Sequence, residues 1–133
     1  MASNGIKHGI VSISAPGTGI YNLPSGYSED AAAGLARLLN EYLAALVKAF
    51  PDYLSFYAAM PLPYSGPAIK EATYALDHLG AAGIGLLSNH EGKYLGNLAI
   101  TPFFAYLNGR NASKQIVFVH PNEPVLDLSL IHI

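Results

Sequence analysis

Five histidines and nine tyrosines, with no cysteine at all, restrict the chemistry open to this 133-residue chain. Without thiolates it can build neither a disulfide framework nor a cysteine metal site. His120 is the most informative candidate. It ends the apolar run Gln115-Ile-Val-Phe-Val-His120, and Pro121 stops that run directly behind it. An imidazole so placed can face the mouth of a parallel α/β fold and bind a divalent metal. The competing use is structural, a buried ring hydrogen-bonded to a carbonyl. His90 beside Glu91 could do acid–base work or touch a substrate, or the pair could belong to a solvated polar loop. His78 reads as a surface residue and His8 as structural. Ser14, Met60, Asn89 and His90 complete the set of substrate-facing candidates, chosen because each follows or ends an apolar, strand-like run.

Those positions matter only if the right elements carry them. His8–Ser14 is enriched in β-branched residues, and Pro16, Gly17 and Gly19 end it. Ser28 offers a helix N-cap, with Glu29 and Asp30 in the first turn. Behind it Ala31, Leu35, Leu38, Leu39, Tyr42, Leu46 and Phe50 recur at helical spacing up to Pro51, and are expected to form the inner stripe. Tyr53–Met60 reads as a second strand buried on both faces. Ser65 is expected to cap a second helix, with Ile69, Ala72, Thr73, Leu76 and Leu79 facing inward and Gly80 stopping it. Gly83–Ser88 gives a third strand, 89–96 a polar glycine-punctuated loop, Thr101-Pro102 a third helix start, and 115–120 a fourth strand.

The order β-α-β-α-β-α-β implies parallel strands joined by helical crossovers. Two architectures satisfy it: part of a (β/α)8 barrel with every helix on the outer face, or an open flavodoxin-like sheet with helices on both. No Gly-x-Gly-x-x-Gly follows the first strand and no P-loop occurs, so nucleotide binding lacks its physical basis. The net charge of −2 gives no reason to expect nucleic acid as a partner. No segment reads as a membrane span or as a leader peptide, and a cytoplasmic setting is expected. Charged residues make up only 12 % of the chain. A mean hydropathy of +0.28 is high for so few charges, which suggests apolar surface meant to lie against other protein.

Five stretches together carry a family likeness: Gly9–Gly17, Ala58–Pro63, Leu79–Asn89, Gly92–Asn97 and Val117–Pro121. In this order they resemble the amidohydrolase-related family that includes aminocarboxymuconate-semialdehyde decarboxylase and γ-resorcylate decarboxylase. The resemblance implies an α/β fold, a partial TIM (β/α)8 barrel over residues 1–124, with 125–133 an unassigned tail. It implies a metal-dependent decarboxylase acting on an aromatic or unsaturated carboxylic acid, or a hydrolase at the same metal. By the same likeness His120, in its His-Pro pair, is a metal ligand. The ion would be zinc, or else manganese. The family's His-x-His or Glu-x-His pair, its catalytic histidine and its metal-binding aspartate have no counterparts here. The chain is therefore expected to run from the second barrel strand to just past the fifth, and to be inactive alone. A small carboxylic acid is the expected partner, with homo-oligomerisation the other association expected.

Overall fold

The computed structural model describes residues 2–19, 28–110 and 115–124. The loop expected around Asn22, Pro24 and Gly26, the Asn-x-Ser glycosylation pattern at Asn111-Ala112-Ser113 and the unassigned tail 125–133 lie outside the described residues. In chain order the elements are β1 (Gly9–Val11), α1 (Glu29–Ala49), β2 (Leu54–Ala59), α2 (Ser65–Asp77), β3 (Gly83–Leu87), β4 (Asn89–His90), β5 (Lys93–Tyr94), α3 (Thr101–Gly109) and β6 (Ile116–His120). Strands β1, β2, β3 and β6 form one wholly parallel sheet in that order, with no switch point.

Side chains alternate across a strand, so each strand offers one face to the helices and one away from them. Phe56, Ala58 and Met60 of the β2 segment and Ile84 and Leu86 of β3 join Leu43 of α1, Ala72 of α2 and Phe103 of α3 in a single core cluster. Among the described residues, all three α-helices thus cover the same face. The opposite face carries Tyr57, Gly85, Phe118 and His120. A flavodoxin-like sheet would be sandwiched, which excludes that alternative. Sequential parallel strands with helices on one side form half of a (β/α)8 barrel, and the helix-free face is its lumen.

The helix faces differ from those expected. Ser28 does cap α1, its Oγ accepting from the Ala31 amide at 3.1 Å. Yet the buried positions are Ala32, Ala36, Asn40 and Leu43, while Leu38 and Tyr42 stay 65 % and 64 % exposed. In α2 the buried set is Ala68, Glu71, Ala72 and Ala75, and Ile69, Leu76 and Leu79 pack only at the rim. Small residues let both helices sit close to the sheet, so the large side chains fall at the flanks. Ser65 is the first helical residue rather than the cap, and its Oγ donates to the Ala99 carbonyl at 2.5 Å.

Asn40 has a distinct task. β1 pairs β2 only as far as Phe56, which leaves the Ala59 N–H and C=O on that side without a strand partner. The Asn40 carboxamide takes the strand's place: Nδ2 donates to the Ala59 carbonyl at 2.9 Å and Oδ1 accepts from the Ala59 amide at 2.8 Å. The same Nδ2 donates to buried Glu71 Oε1 at 2.8 Å, and Arg37 Nε donates to Oε2 at 2.9 Å. One buried amide thereby joins α1, α2 and the end of β2.

Candidate metal and substrate site

The carboxyl ends of the strands gather around a cleft of about 430 Å3 whose lining includes Leu87, Asn89, His90, Glu91, Asn122 and Glu123. His120 stands beside it. Its ladder partner is Leu87, so the ring shares the lumen face with the cleft wall. His120 Nδ1 lies 2.6 Å from the Pro121 carbonyl, which can only accept. Nδ1 therefore carries the proton, and a neutral ring keeps its lone pair on Nε2. A ring so protonated could ligate a metal through Nε2, with the proton side held by a backbone acceptor.

The chain leaving His120 is held by the loop after β3. The Ser88 amide donates to the His120 carbonyl at 2.9 Å, which extends the ladder by one residue. Ser88 Oγ accepts from the Asn122 amide at 3.0 Å. Asn122 Nδ2 donates to the Asn89 carbonyl at 3.1 Å, and Asn89 Nδ2 donates to the Glu123 carbonyl at 2.9 Å. Buried Asn89 thus lines the cleft and fastens its far wall at once.

The loop expected at 89–96 contains a short hairpin. Strands β4 and β5 pair antiparallel across Glu91 and Gly92, both at positive φ (51° and 74°). A two-residue turn of this hand matches strand twist, and Glu91 tolerates it where glycine would be the easier choice. Tyr64 donates its hydroxyl to Glu91 Oε1 at 3.1 Å. Burial, then the Glu91 charge, pushes the Tyr64 pKa upward. His90 is buried, and its Nε2 accepts from the Leu87 amide at 3.2 Å. Burial lowers its pKa to about 4, so the ring is neutral near pH 7 with its proton on Nδ1.

The other candidates separate. Ser14 is exposed on the loop after β1 and helps shape the turn there, its carbonyl accepting from the Gly17 amide at 2.8 Å. Met60 is 2 % exposed and belongs to the helix-side core, so the structure does not bring its side chain into the cleft. His8 lies at the opposite end of the sheet, its Nε2 2.8 Å from Ser55 Oγ. Sequence reading missed Tyr64 and Asn122. Only the adjacency of Asn122 to the His-Pro pair could have drawn attention to it.

Two carboxylates, Glu91 and Glu123, line the cleft with no lysine or arginine among the lining residues. A carboxylic acid entering such a cleft meets like charge unless a cation offsets it, which suits a divalent ion. His120, beside the cleft with Nε2 open, is the candidate ligand for such an ion. Among the described residues, no group of three His, Cys, Asp or Glu side chains completes a set.

A family model described as amidohydrolase matches residues 25–132. The chain belongs to the amidohydrolase family. The 6-methylsalicylic acid decarboxylase of Penicillium expansum is 39 % identical to this amidohydrolase chain over 127 residues, covering 92 % of the chain and 36 % of that protein. The crystal structure of 2,6-dihydroxybenzoate decarboxylase from Rhizobium matches with a TM-score of 0.81 at 26 % identity, over 98 % of this chain and 40 % of that one. A dihydroxybenzoic acid decarboxylase from Polaromonas sp. JS666, solved with bound manganese, shares the fold at 23 % identity and a TM-score of 0.78, over 94 % of this chain and 37 % of that one. The chain spans about a third of the length of the curated relatives it matches. Among the described residues, no helix is long and apolar enough to cross a membrane.

Proposed function

We propose that this amidohydrolase chain is part of a longer, metal-dependent decarboxylase that removes CO2 from an aromatic carboxylic acid. The carrying observation is His120, held on the lumen face at a strand end with Nε2 left for a ligand by the Nδ1–Pro121 hydrogen bond. The substrate class rests on the relatives, which act on 6-methylsalicylic and 2,6-dihydroxybenzoic acids. For the ion, manganese has the precedent of a fold neighbour, and zinc suits imidazole equally. When bound, the metal would polarise the substrate carboxylate or an adjacent oxygen. The chain's own residues do the rest. His120 supplies one ligand, and the Ser88–Asn89–Asn122 bonds keep its strand end in place. His90, neutral and tied to the Leu87 amide, adds no charge near the substrate and stiffens the cleft wall. Glu91 and Glu123 make occupation by a lone organic anion unfavourable, so acid and metal bind together. A cytoplasmic setting goes with this reading.

The test is the full-length protein, purified with its metal content measured and assayed for CO2 release from 6-methylsalicylate and dihydroxybenzoates. His120→Ala should lose the metal and the CO2 release together while remaining folded. An unaltered metal stoichiometry and rate in that variant would remove His120 from the site. Release of a hydrolysis product without CO2 would replace decarboxylation by hydrolysis.

A further inference from the structure

The lumen face beneath His120 is built unevenly. Register places Ala59, Gly85 and Phe118 in one cross-strand row, with Leu87 and His120 in the next row toward the strand ends. In the lower row one position has a methyl group, one has no side chain, and one has a phenyl ring. Tyr57, from the row below that, leans across the gap. A Cβ on Gly85 would lie 3.4 Å from the Tyr57 Cβ. The Tyr57 ring stacks on Phe118 with centroids 5.5 Å apart and planes 16° apart. Phe118 in turn meets the His120 imidazole edge-on, at 6.4 Å and 63°. Gly85 of β3 therefore leaves room for a two-ring slab in the row under the metal-ligand candidate.

We propose that this Tyr57–Phe118 slab is the floor of the substrate site, and that Phe118 selects flat aromatic acids over aliphatic acids of equal size. Barrel interiors are filled in layers, so a molecule reaching the His120 layer from the mouth comes to rest on the layer below. From this half of the barrel, that layer is a ring surface. A planar ring finds a stacking or edge partner there, whereas a puckered ring does not. The inference rests on the functional reading above and adds what distinguishes its substrates.

The measurement is competitive inhibition of the full-length, metal-loaded enzyme by benzoate and by cyclohexanecarboxylate, which match in size and charge but differ in planarity. The wild type should favour benzoate. Phe118→Leu should reduce that preference roughly three- to tenfold, with metal content unchanged, and Phe118→Tyr should retain it. An unchanged preference in Phe118→Leu overturns the floor while leaving decarboxylation intact. Wild-type enzyme that holds metal but releases no CO2 from any aryl acid overturns the functional reading instead, and the inhibitor ratio still reports on the floor. Should Phe118→Leu lose the metal or fail to fold, Phe118→Met is read in the same way. Loss of metal in both would make Phe118 a support for His120 and would overturn the proposal.

Discussion

Replacing Asn40 by alanine removes one carboxamide and strands three buried groups. The Ala59 amide and carbonyl lose the partners that stand in for the missing strand, and Glu71 loses one of its two donors. Leaving a buried polar group unsatisfied costs about 1–3 kcal/mol, and the three share one site, so their costs do not simply add. A loss of about 3–5 kcal/mol is expected, large against the 5–15 kcal/mol of a typical domain. Arg37 touches the same Glu71, but its side chain is 43 % exposed. Solvent screening limits that pair, and Arg37→Ala should cost no more than about 1 kcal/mol. Asn40→Asp should be worse than alanine, because a carboxylate cannot donate to the Ala59 carbonyl and would face Glu71 with like charge. Urea unfolding of the full-length protein measures all three variants, and hydrogen exchange at the Ala59 amide reports the local break. A cost below 1 kcal/mol for Asn40→Ala, or unaltered protection at Ala59, would refute the surrogate-strand account.

Gly83→Ala should destabilise by more than about 2 kcal/mol and disturb the start of β6, because the new Cβ would lie 2.5 Å from the Ile116 carbonyl oxygen; thermal unfolding checks it. Gly34→Ala, mid-helix with nothing within 4 Å of the new Cβ, should instead stabilise by about 0.5–1 kcal/mol in the same unfolding assay. His90 has its pKa lowered by burial to about 4, so the unfolded chain binds more protons between there and 6.5; stability from this group is complete above pH 6.5 and is lost as pH falls toward 4. Unfolding free energies across that window should flatten in His90→Gln. The isolated chain should self-associate through its lumen face and unpaired β1 and β6 edges, with sedimentation showing mass that rises with concentration; a sharp monomer would contradict it.

The strand ends were legible because proline and glycine mark them and because parallel α/β folds collect chemistry there. That reasoning named His120, Asn89 and His90, of which Asn89 and His90 line the cleft and His120 lies opposite Leu87 beside it. It also chose Met60, since a strand's last residue can face either way and one position of register decides which. The helix faces were misread for a different reason. Hydrophobic periodicity weighs large side chains, whereas close packing on a sheet favours alanine, so Leu38 and Tyr42 were assigned to a core that Ala32, Ala36 and Asn40 fill. A fully buried asparagine or glutamate is invisible to such a pattern, because its reason lies in an orphaned backbone pair on another element. The β4–β5 hairpin escaped notice because Glu91, not asparagine or aspartate, precedes the turn glycine.

The apolar excess of the sequence acquires a location in the structure. Ile116 and Phe118 on the lumen face and Val117 and Val119 on the outer face of β6 are all between 38 % and 49 % exposed, an unusual state for both faces of one strand. A strand apolar on both faces is suited to burial on both. β6 therefore belongs inside a larger sheet, with a further strand on its open edge and helix cover outside it. His120 ends this strand. Whatever covers β6 also lowers the solvent exposure of the imidazole at its end. Burial of β6 and the role proposed for His120 are consequently linked: the cover that would stabilise the strand would also shield the imidazole at its end.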